Sequence, residues 1–151
     1  MKKILFTLIV AMLVLAACAP AAKQGADAPV EAALVVTVGG TQKSFSVKDL
    51  QALPAGEATF KDVAYKGVTV SALLEALSVD PGSIKALKAV ADDGYSVNYD
   101  PAQFLKDNVL VAYQLADGSP LTADDGSFRM VLPDEEGKLN VRMLVALQII
   151  Q

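Results

Sequence analysis

Short runs of apolar and β-branched residues, separated by turns that contain glycine or proline, fill the chain from about residue 34 to its end. Such runs are typical of β-strands, in which successive side chains point to opposite faces. The pattern predicts extended segments at 34–38, 43–46, 57–64, 85–91, 95–99, 109–115, 128–132 and 141–150. It also predicts that Gly67 turns the chain after the third of these segments.

Short helices are predicted between the strands from signals at the helix ends. The predicted N-caps are Ser46, either Thr69 or Ser71, and Asp100, because such side chains accept hydrogen bonds from the first free amides of a helix. The first helix spans 47–52 and ends before Pro54. Pro101 suits the first position of the third helix. Short strands interleaved with short helices predict an α+β fold with a mixed β-sheet.

A different apolar pattern opens the chain. Lys2 and Lys3 precede an apolar run at 4–15, which only Thr7 interrupts. A helix of this length is about 18 Å long at about 1.5 Å per residue, whereas the core of a bilayer is about 30 Å thick. The run is therefore typical of the apolar region of a secretory signal rather than of a membrane-spanning helix.

The sequence Leu15-Ala16-Ala17-Cys18 follows this run. It resembles the lipobox of bacterial lipoproteins, in which the cysteine thiol is acylated and the signal is cut just before it. Cys18 is the only cysteine, so no intramolecular disulfide can form. Acylation would remove a reactive free thiol and give stable anchoring. We predict lipidation at Cys18; a plain secretory signal with a chance cysteine is the alternative.

The chain therefore divides into three predicted segments. Residues 1–17 form the signal peptide, 18–33 the lipidated cysteine with a flexible alanine-rich tether, and 34–151 one globular domain. A domain of this size buries a substantial core without disulfides or structural metals. We expect an extracytoplasmic protein held on a membrane, either at the outer face of the cell membrane or at the periplasmic side of an outer membrane.

Composition limits the chemistry of this domain. The formal net charge is −4, and it becomes −6 (−4 − 2) once Lys2 and Lys3 are cleaved away, which argues against nucleic acid as a partner. The chain has no histidine, the commonest metal ligand and general base. No catalytic residue and no metal ligand is predicted, and any metal would have to be a hard cation held by oxygen atoms. The predicted partner is the membrane, through the lipid anchor.

From residue 45 onward the order of motifs resembles a known family. The stretches that carry the resemblance are FSVKDLQALP at 45–54, YKGVTVSALL at 65–74, ADDGYSV at 91–97, LVAY at 110–113, GSPL at 118–121 and FRMVLP at 128–133. Together they are similar to the molybdopterin-binding domain of sulfite-oxidase-type oxidoreductases, in its short standalone form. The resemblance implies that fold, and it makes molybdopterin the one cofactor to consider.

The sequence departs from this family at the residues that would carry the chemistry. The family's enzymes hold molybdenum through a cysteine thiolate in a segment that would fall near 59–61, and here the segment is shortened and has no cysteine. Tyr65 and Lys66 replace a tryptophan often found before the Gly-Val turn. Arg129 and Arg142 are the only arginines left to grip a pterin phosphate. The resemblance therefore implies the fold without the redox chemistry.

Arg129, Arg142 and Tyr95 are the candidate ligand-binding residues. The Arg129 guanidinium lies in an apolar strand and can grip a carboxylate or phosphate through two hydrogen bonds. Its alternative is an edge or surface position paired with Asp124 or Asp125. Arg142 alternates with apolar residues, which favours a solvent-facing strand position. The Asp-Gly sequences beside Tyr95 and after Asp124 are typical of ordinary turns.

Three functions remain open. The first is a non-catalytic extracytoplasmic module that binds a pterin-like or other small anionic ligand, or a partner protein. The second is a molybdopterin-dependent oxidoreductase that lacks the cysteine ligand, and the third is an envelope lipoprotein with a structural or interaction role. An open cleft around Arg129 would favour the first function, and a flat apolar patch would favour the third.

Overall fold

The computed structural model describes residues 31–151, which form one compact unit. The predicted signal peptide, Cys18 and most of the predicted tether lie outside the described residues. None of the helices within 31–151 is both long enough and apolar enough to span a bilayer.

Nine strands and three α-helices make up this unit. In chain order they are β1 (Ala33–Val38), β2 (Thr41–Ser46), α1 (Val47–Gln51), β3 (Ala55–Phe60), β4 (Val63–Thr69), α2 (Val70–Ala76), β5 (Ala86–Ala91), β6 (Ser96–Tyr99), α3 (Pro101–Phe104), β7 (Leu110–Leu115), β8 (Arg129–Val131) and β9 (Leu144–Ile150). Two 3₁₀ turns, Pro81–Ser83 and Gly137–Leu139, lie in the connections. The predicted α+β class is confirmed, with the strands divided between two sheets.

The first sheet is mixed and has the order β2-β1-β9-β5-β6. The chain's first and last described strands, β1 and β9, pair in parallel at its centre, and all of its other pairs are antiparallel. The second sheet is antiparallel throughout and has the order β3-β4-β7-β8. Its edge strand β8 is short and buried, because the segment before β9 covers the open side through the bond from Met130 N to Val141 O, at 2.8 Å.

One apolar core joins the two sheets and the helices. Leu34 and Leu87 of the first sheet, Val111 of the second and Leu73 of α2 are each no more than 1 % exposed and belong to this core. Leu110 belongs instead to a smaller cluster with Ala58, Tyr65, Ala112 and Val131. Since neighbouring residues of a strand face opposite sides, the second sheet is buried on both faces. Tyr65 of this smaller cluster lies beside the candidate functional site.

The helix ends form where their capping residues predict. The Ser46 hydroxyl accepts from Asp49 N while the Asp49 carboxylate accepts from Ser46 N, which is a reciprocal capping box. Thr69, one of the two predicted caps, accepts from Ala72 N at 3.1 Å. Asp100 and Pro101 begin α3 as predicted. These local signals satisfy amides that would otherwise lack partners at the start of each helix.

The prediction of one continuous strand at 57–64 was wrong. It is a hairpin, in which Phe60 pairs with Val63 and the two-residue turn between them is Lys61-Asp62. Both turn residues have positive φ, 48° and 65°, and this geometry matches the twist of the flanking strands. Lysine is unusual in such a turn and the pair lacks the glycine that commonly marks one, so these two residues gave no turn signal.

Two further predictions were wrong for reasons of packing. Gly67 does not turn the chain but lies inside β4, where a Cβ would come within 2.2 Å of the Val111 carbonyl oxygen. The last strand begins at Leu144 rather than at residue 141, because Met143 has a positive φ of 48° that a strand cannot contain. Arg142 therefore precedes the strand in which it was predicted.

We expect Gly67→Ala to lower the free energy of unfolding by about 3 kcal/mol, since the new methyl group overlaps backbone atoms of β7 that cannot move aside cheaply. Urea denaturation of the full-length chain measures this loss. Gly82→Ala is the matched control, because its Cβ would meet nothing closer than 3.4 Å and the cost should be small. Equal losses in the two variants would contradict the close approach of β4 and β7.

Candidate functional site

Two adjoining hollows form a continuous cleft beside the second sheet. The Tyr65 hollow, of about 500 Å³, lies against the β3–β4 hairpin and Arg129, whereas the Tyr95 hollow, of about 520 Å³, lies against the β5–β6 turn. The residues common to both hollows are Asp124, Gly137, Asn140 and Arg142. The cleft is therefore the open concave surface around Arg129 that the first functional interpretation requires.

Arg129 forms the floor of the Tyr65 hollow. Its side chain is only 6 % exposed, and its Nη1 donates to Asp125 Oδ1 at 2.6 Å and to the Tyr65 hydroxyl at 2.7 Å. The guanidinium also lies 4.5 Å from the centre of the Tyr65 ring and 5.8 Å from that of Phe60. The position is an edge strand paired with Asp125, as the alternative interpretation had it, but it is buried rather than at the surface.

The second terminal nitrogen of this guanidinium, Nη2, remains free to donate a hydrogen bond. Nη2 of Arg129 makes no hydrogen bond to residues 31–151. No fully buried polar side-chain atom within 31–151 lacks a partner, so Nη2 is not fully buried, and Arg129 lines the Tyr65 hollow. Asp125 is satisfied on its other oxygen by the Thr122 hydroxyl, at 3.0 Å. Arg129 is thus held rigidly by protein groups while one donor remains available to a ligand.

Tyr65 adds a second donor beside Arg129. Burial raises the pKa of its hydroxyl above the ordinary value, although the Arg129 charge opposes that shift. The hydroxyl is therefore neutral at pH 7, and it accepts from Arg129 without giving its own proton to any acceptor among residues 31–151. An oxygen-rich group placed in the hollow would meet both an N–H and an O–H donor.

Arg142 and Lys61 supply the exposed positive charges of the cleft. Both side chains are exposed, and neither forms an ion pair within residues 31–151. Arg142 lines both hollows, whereas Lys61 projects from the hairpin turn on the Tyr65 side. Their charges are not neutralised as that of Arg129 is, so they are the cations best placed to attract an anion.

Tyr95, which immediately precedes β6, and Tyr99 of β6 fix the wall that the hollows share. The Tyr95 hydroxyl donates to the Lys138 carbonyl at 2.8 Å, and the Tyr99 hydroxyl donates to the Leu139 carbonyl. Asn140, which is 3 % exposed, pairs with both backbone groups of Leu132 at 2.7 and 3.2 Å. These bonds attach the Gly137–Leu139 turn to both sheets and fix the shape of the cleft.

The structure brings the three candidate residues together in this cleft. Tyr95 lines one hollow, Arg129 the other and Arg142 both. Lys61, Tyr65 and Asn140 line it as well, although Lys61 and Asn140 were not among the predicted site residues. No local pattern marks either residue, because each reaches the cleft only through tertiary pairing. Within residues 31–151 no group of three or more acidic, histidine or cysteine side chains is placed to hold a metal ion.

Comparisons with known proteins agree with the fold. The family described as the oxidoreductase molybdopterin binding domain matches residues 26–151. The chain belongs to this family. A crystal structure of the sulfane dehydrogenase SoxCD from Paracoccus pantotrophus is similar in fold, with a TM-score of 0.64 and 21% sequence identity over 79% of this chain. The chain spans 38% of that protein's length. A comparison with curated proteins found no match.

The family resemblance implies a thiolate ligand for molybdenum near residues 59–61. In this chain that position is the end of β3 and the tight Lys61-Asp62 turn. The only cysteine of the sequence is Cys18, and histidine is absent. The donor set of the cleft therefore does not fit a thiolate-held metal, although its cations suit a phosphate or carboxylate.

We expect Arg129→Met to lower the free energy of unfolding by about 3 to 5 kcal/mol, because it leaves the Asp125 carboxylate buried without its counter-charge. Asp125→Leu should cost a similar amount. The double variant should lose clearly less than the sum of the two single losses, since neither charge is then stranded. Urea denaturation of the three variants gives the coupling.

The matched control for this cycle is Lys106→Met. Lys106 pairs with Asp134 at 3.4 Å, but both side chains are exposed, so its loss should have little effect. Strictly additive losses for the Arg129 and Asp125 variants would show that the pair does not act as a unit.

Proposed function

We propose that this chain is a lipid-anchored, extracytoplasmic binding protein whose cleft holds a small anionic ligand and carries out no molybdenum redox reaction. The observation that carries this proposal is the Lys61-Asp62 turn. It stands where the family resemblance implies the metal's cysteine ligand, and it leaves two residues between paired strands. A family fold with this turn has the cleft but lacks a thiolate.

The charges of the cleft support binding of an anion. Lys61 and Arg142 offer unpaired cations on its walls, and Arg129 Nη2 with the Tyr65 hydroxyl offers donors on its floor. Hydrogen bonds from charged donors to phosphate or carboxylate oxygens are stronger than those between neutral groups. The donors on the floor are pre-organised, which reduces the ordering cost of binding.

The anchor rests on the opening segment of the sequence. A positive start, an apolar run at 4–15 and small residues before Cys18 support export followed by acylation. The cleft would then face the space outside the cytoplasmic membrane, at the end of the predicted tether.

A second candidate function is a molybdopterin-dependent oxidoreductase without a protein thiolate. The match to the family over residues 26–151 favours it, since the family is described by molybdopterin binding. The two candidates differ in metal content, because the binding protein needs no molybdenum.

We expect the full-length chain, expressed in a host that makes molybdopterin and purified in a non-ionic detergent, to contain molybdenum far below one atom per chain. Mass spectrometry of the metals measures this. Inorganic phosphate, titrated at low salt and followed by NMR, should still shift resonances of the cleft. Arg142→Gln and Lys61→Gln should each weaken phosphate binding about tenfold, as expected for the loss of a charged contact.

Lys48→Gln is the matched control, since Lys48 is an exposed cation of α1 away from the cleft. Stoichiometric molybdenum would replace the proposal by the oxidoreductase. No phosphate binding, or an equal effect of the Lys48 variant, would remove the support for an anion site.

For the anchor, we expect the chain to sediment with membranes and to carry a mass increase of two or three acyl groups on a peptide that begins at Cys18. Cys18→Ser should abolish this increase and release the protein from the membrane fraction. Mass spectrometry and fractionation of both forms measure the change. Unmodified Cys18 in the native chain would instead identify a plain secretory signal.

A further inference from the structure

Two of the cations beside the cleft are neutralised by acidic partners. Arg129 is paired with Asp125 at 2.6 Å, and Lys138 with Glu136 at 2.8 Å. These four side chains therefore contribute little net charge to a ligand in the cleft.

The remaining charges are separated along the cleft. Lys61 lines only the Tyr65 hollow, Asp92 and Asp93 line only the Tyr95 hollow, and Arg142 and Asp124 line both. None of these five makes an ion pair within residues 31–151. The Tyr65 hollow is thus the positive end of the cleft, and the Tyr95 hollow is its negative end.

The negative end also presents an aromatic face. Tyr95 is 47 % exposed, and its ring is fixed because the hydroxyl donates to the Lys138 carbonyl. The Asp93 carboxylate is fixed as well, since it accepts from Tyr95 N at 2.8 Å. An aromatic face beside carboxylates binds ammonium groups, because the ring quadrupole and the negative charges both attract a cation.

We infer that the cleft takes a dipolar small molecule, with a carboxylate or similar oxyanion in the Tyr65 hollow and an ammonium group in the Tyr95 hollow. This inference rests on the proposed function and assigns its ligand class. The charge of the whole chain supports it. A purely anionic molecule would leave the three unpaired carboxylates of the cleft without a partner, in a protein whose net charge after signal cleavage is −6, whereas a dipolar molecule also brings an ammonium group to them.

The test compares amino acids with matched single charges. Glycine, 4-aminobutyrate and 6-aminohexanoate span a range of charge separations, and butyrate and butylammonium carry one charge each. Each is titrated at low salt into the full-length chain in a non-ionic detergent, and NMR gives the dissociation constants. At least one amino acid should bind about tenfold more tightly than butyrate, with butylammonium weakest.

Substitutions test which residues bind the ammonium group of the ligand and which bind its carboxylate. The double variant Asp92→Asn with Asp93→Asn should remove the advantage of the amino acid and leave butyrate binding unchanged or stronger, whereas Arg142→Gln should weaken both. Asp117→Asn is the matched control, because Asp117 lies in a similar exposed Asp-Gly turn and accepts from Ser119 N at 2.8 Å, but does not line the cleft. Asparagine retains the turn's hydrogen bond in each case.

The outcomes separate this inference from the proposed function. If butyrate binds as well as every amino acid, or if the double variant weakens both ligands equally, the dipolar assignment is overturned while an anion site stands. If neither the amino acids, butyrate nor inorganic phosphate binds, both the inference and the proposed function fail.

Discussion

The buried position of Arg129 depends on its ion pair with Asp125 and its hydrogen bond with Tyr65. Removing a guanidinium and a carboxylate from water costs several kcal/mol for each, and close pairing with additional hydrogen bonds must offset that cost. The Thr122 hydroxyl and the aromatic faces of Tyr65 and Phe60 provide the additional contacts. The turn that carries Asp125 is thereby held against both β4 and β8.

This constraint extends to the last strand. The Asp125 carbonyl accepts from Met143 N at 2.8 Å, and Gly126 lies so close that a Cβ would come within 2.9 Å of Met143 Cα. Met143 takes a left-handed conformation at this contact, which delays the start of β9 and directs the preceding Arg142 into both hollows. The position of the cleft's central cation therefore follows from the buried ion pair.

The sequence predicted those parts of the fold that depend on neighbours in the chain. The capping box at Ser46, the Asp-Gly turn before β6 and the Asp100-Pro101 helix start each rest on contacts between residues a few positions apart. Gly67 was misread because the reason for its missing Cβ is β7, more than forty positions away. For the same reason the candidate arginines were identified by residue type, but the burial of Arg129 and the contribution of Lys61 were not.

The bonds that shape the cleft are separate from the position near residues 59–61 where the family resemblance implies a metal ligand. The cleft is shaped by backbone contacts of the Gly137–Leu139 turn and by the buried pair beneath it, and each of these bonds joins two protein groups. The tight Lys61-Asp62 turn at the end of β3 stands at that position and takes part in none of those bonds. The ligand that we propose depends on the placement of unpaired charge in the cleft. Lys61 enters the cleft from this same turn, where it adds a cation that suits an oxygen-bearing group.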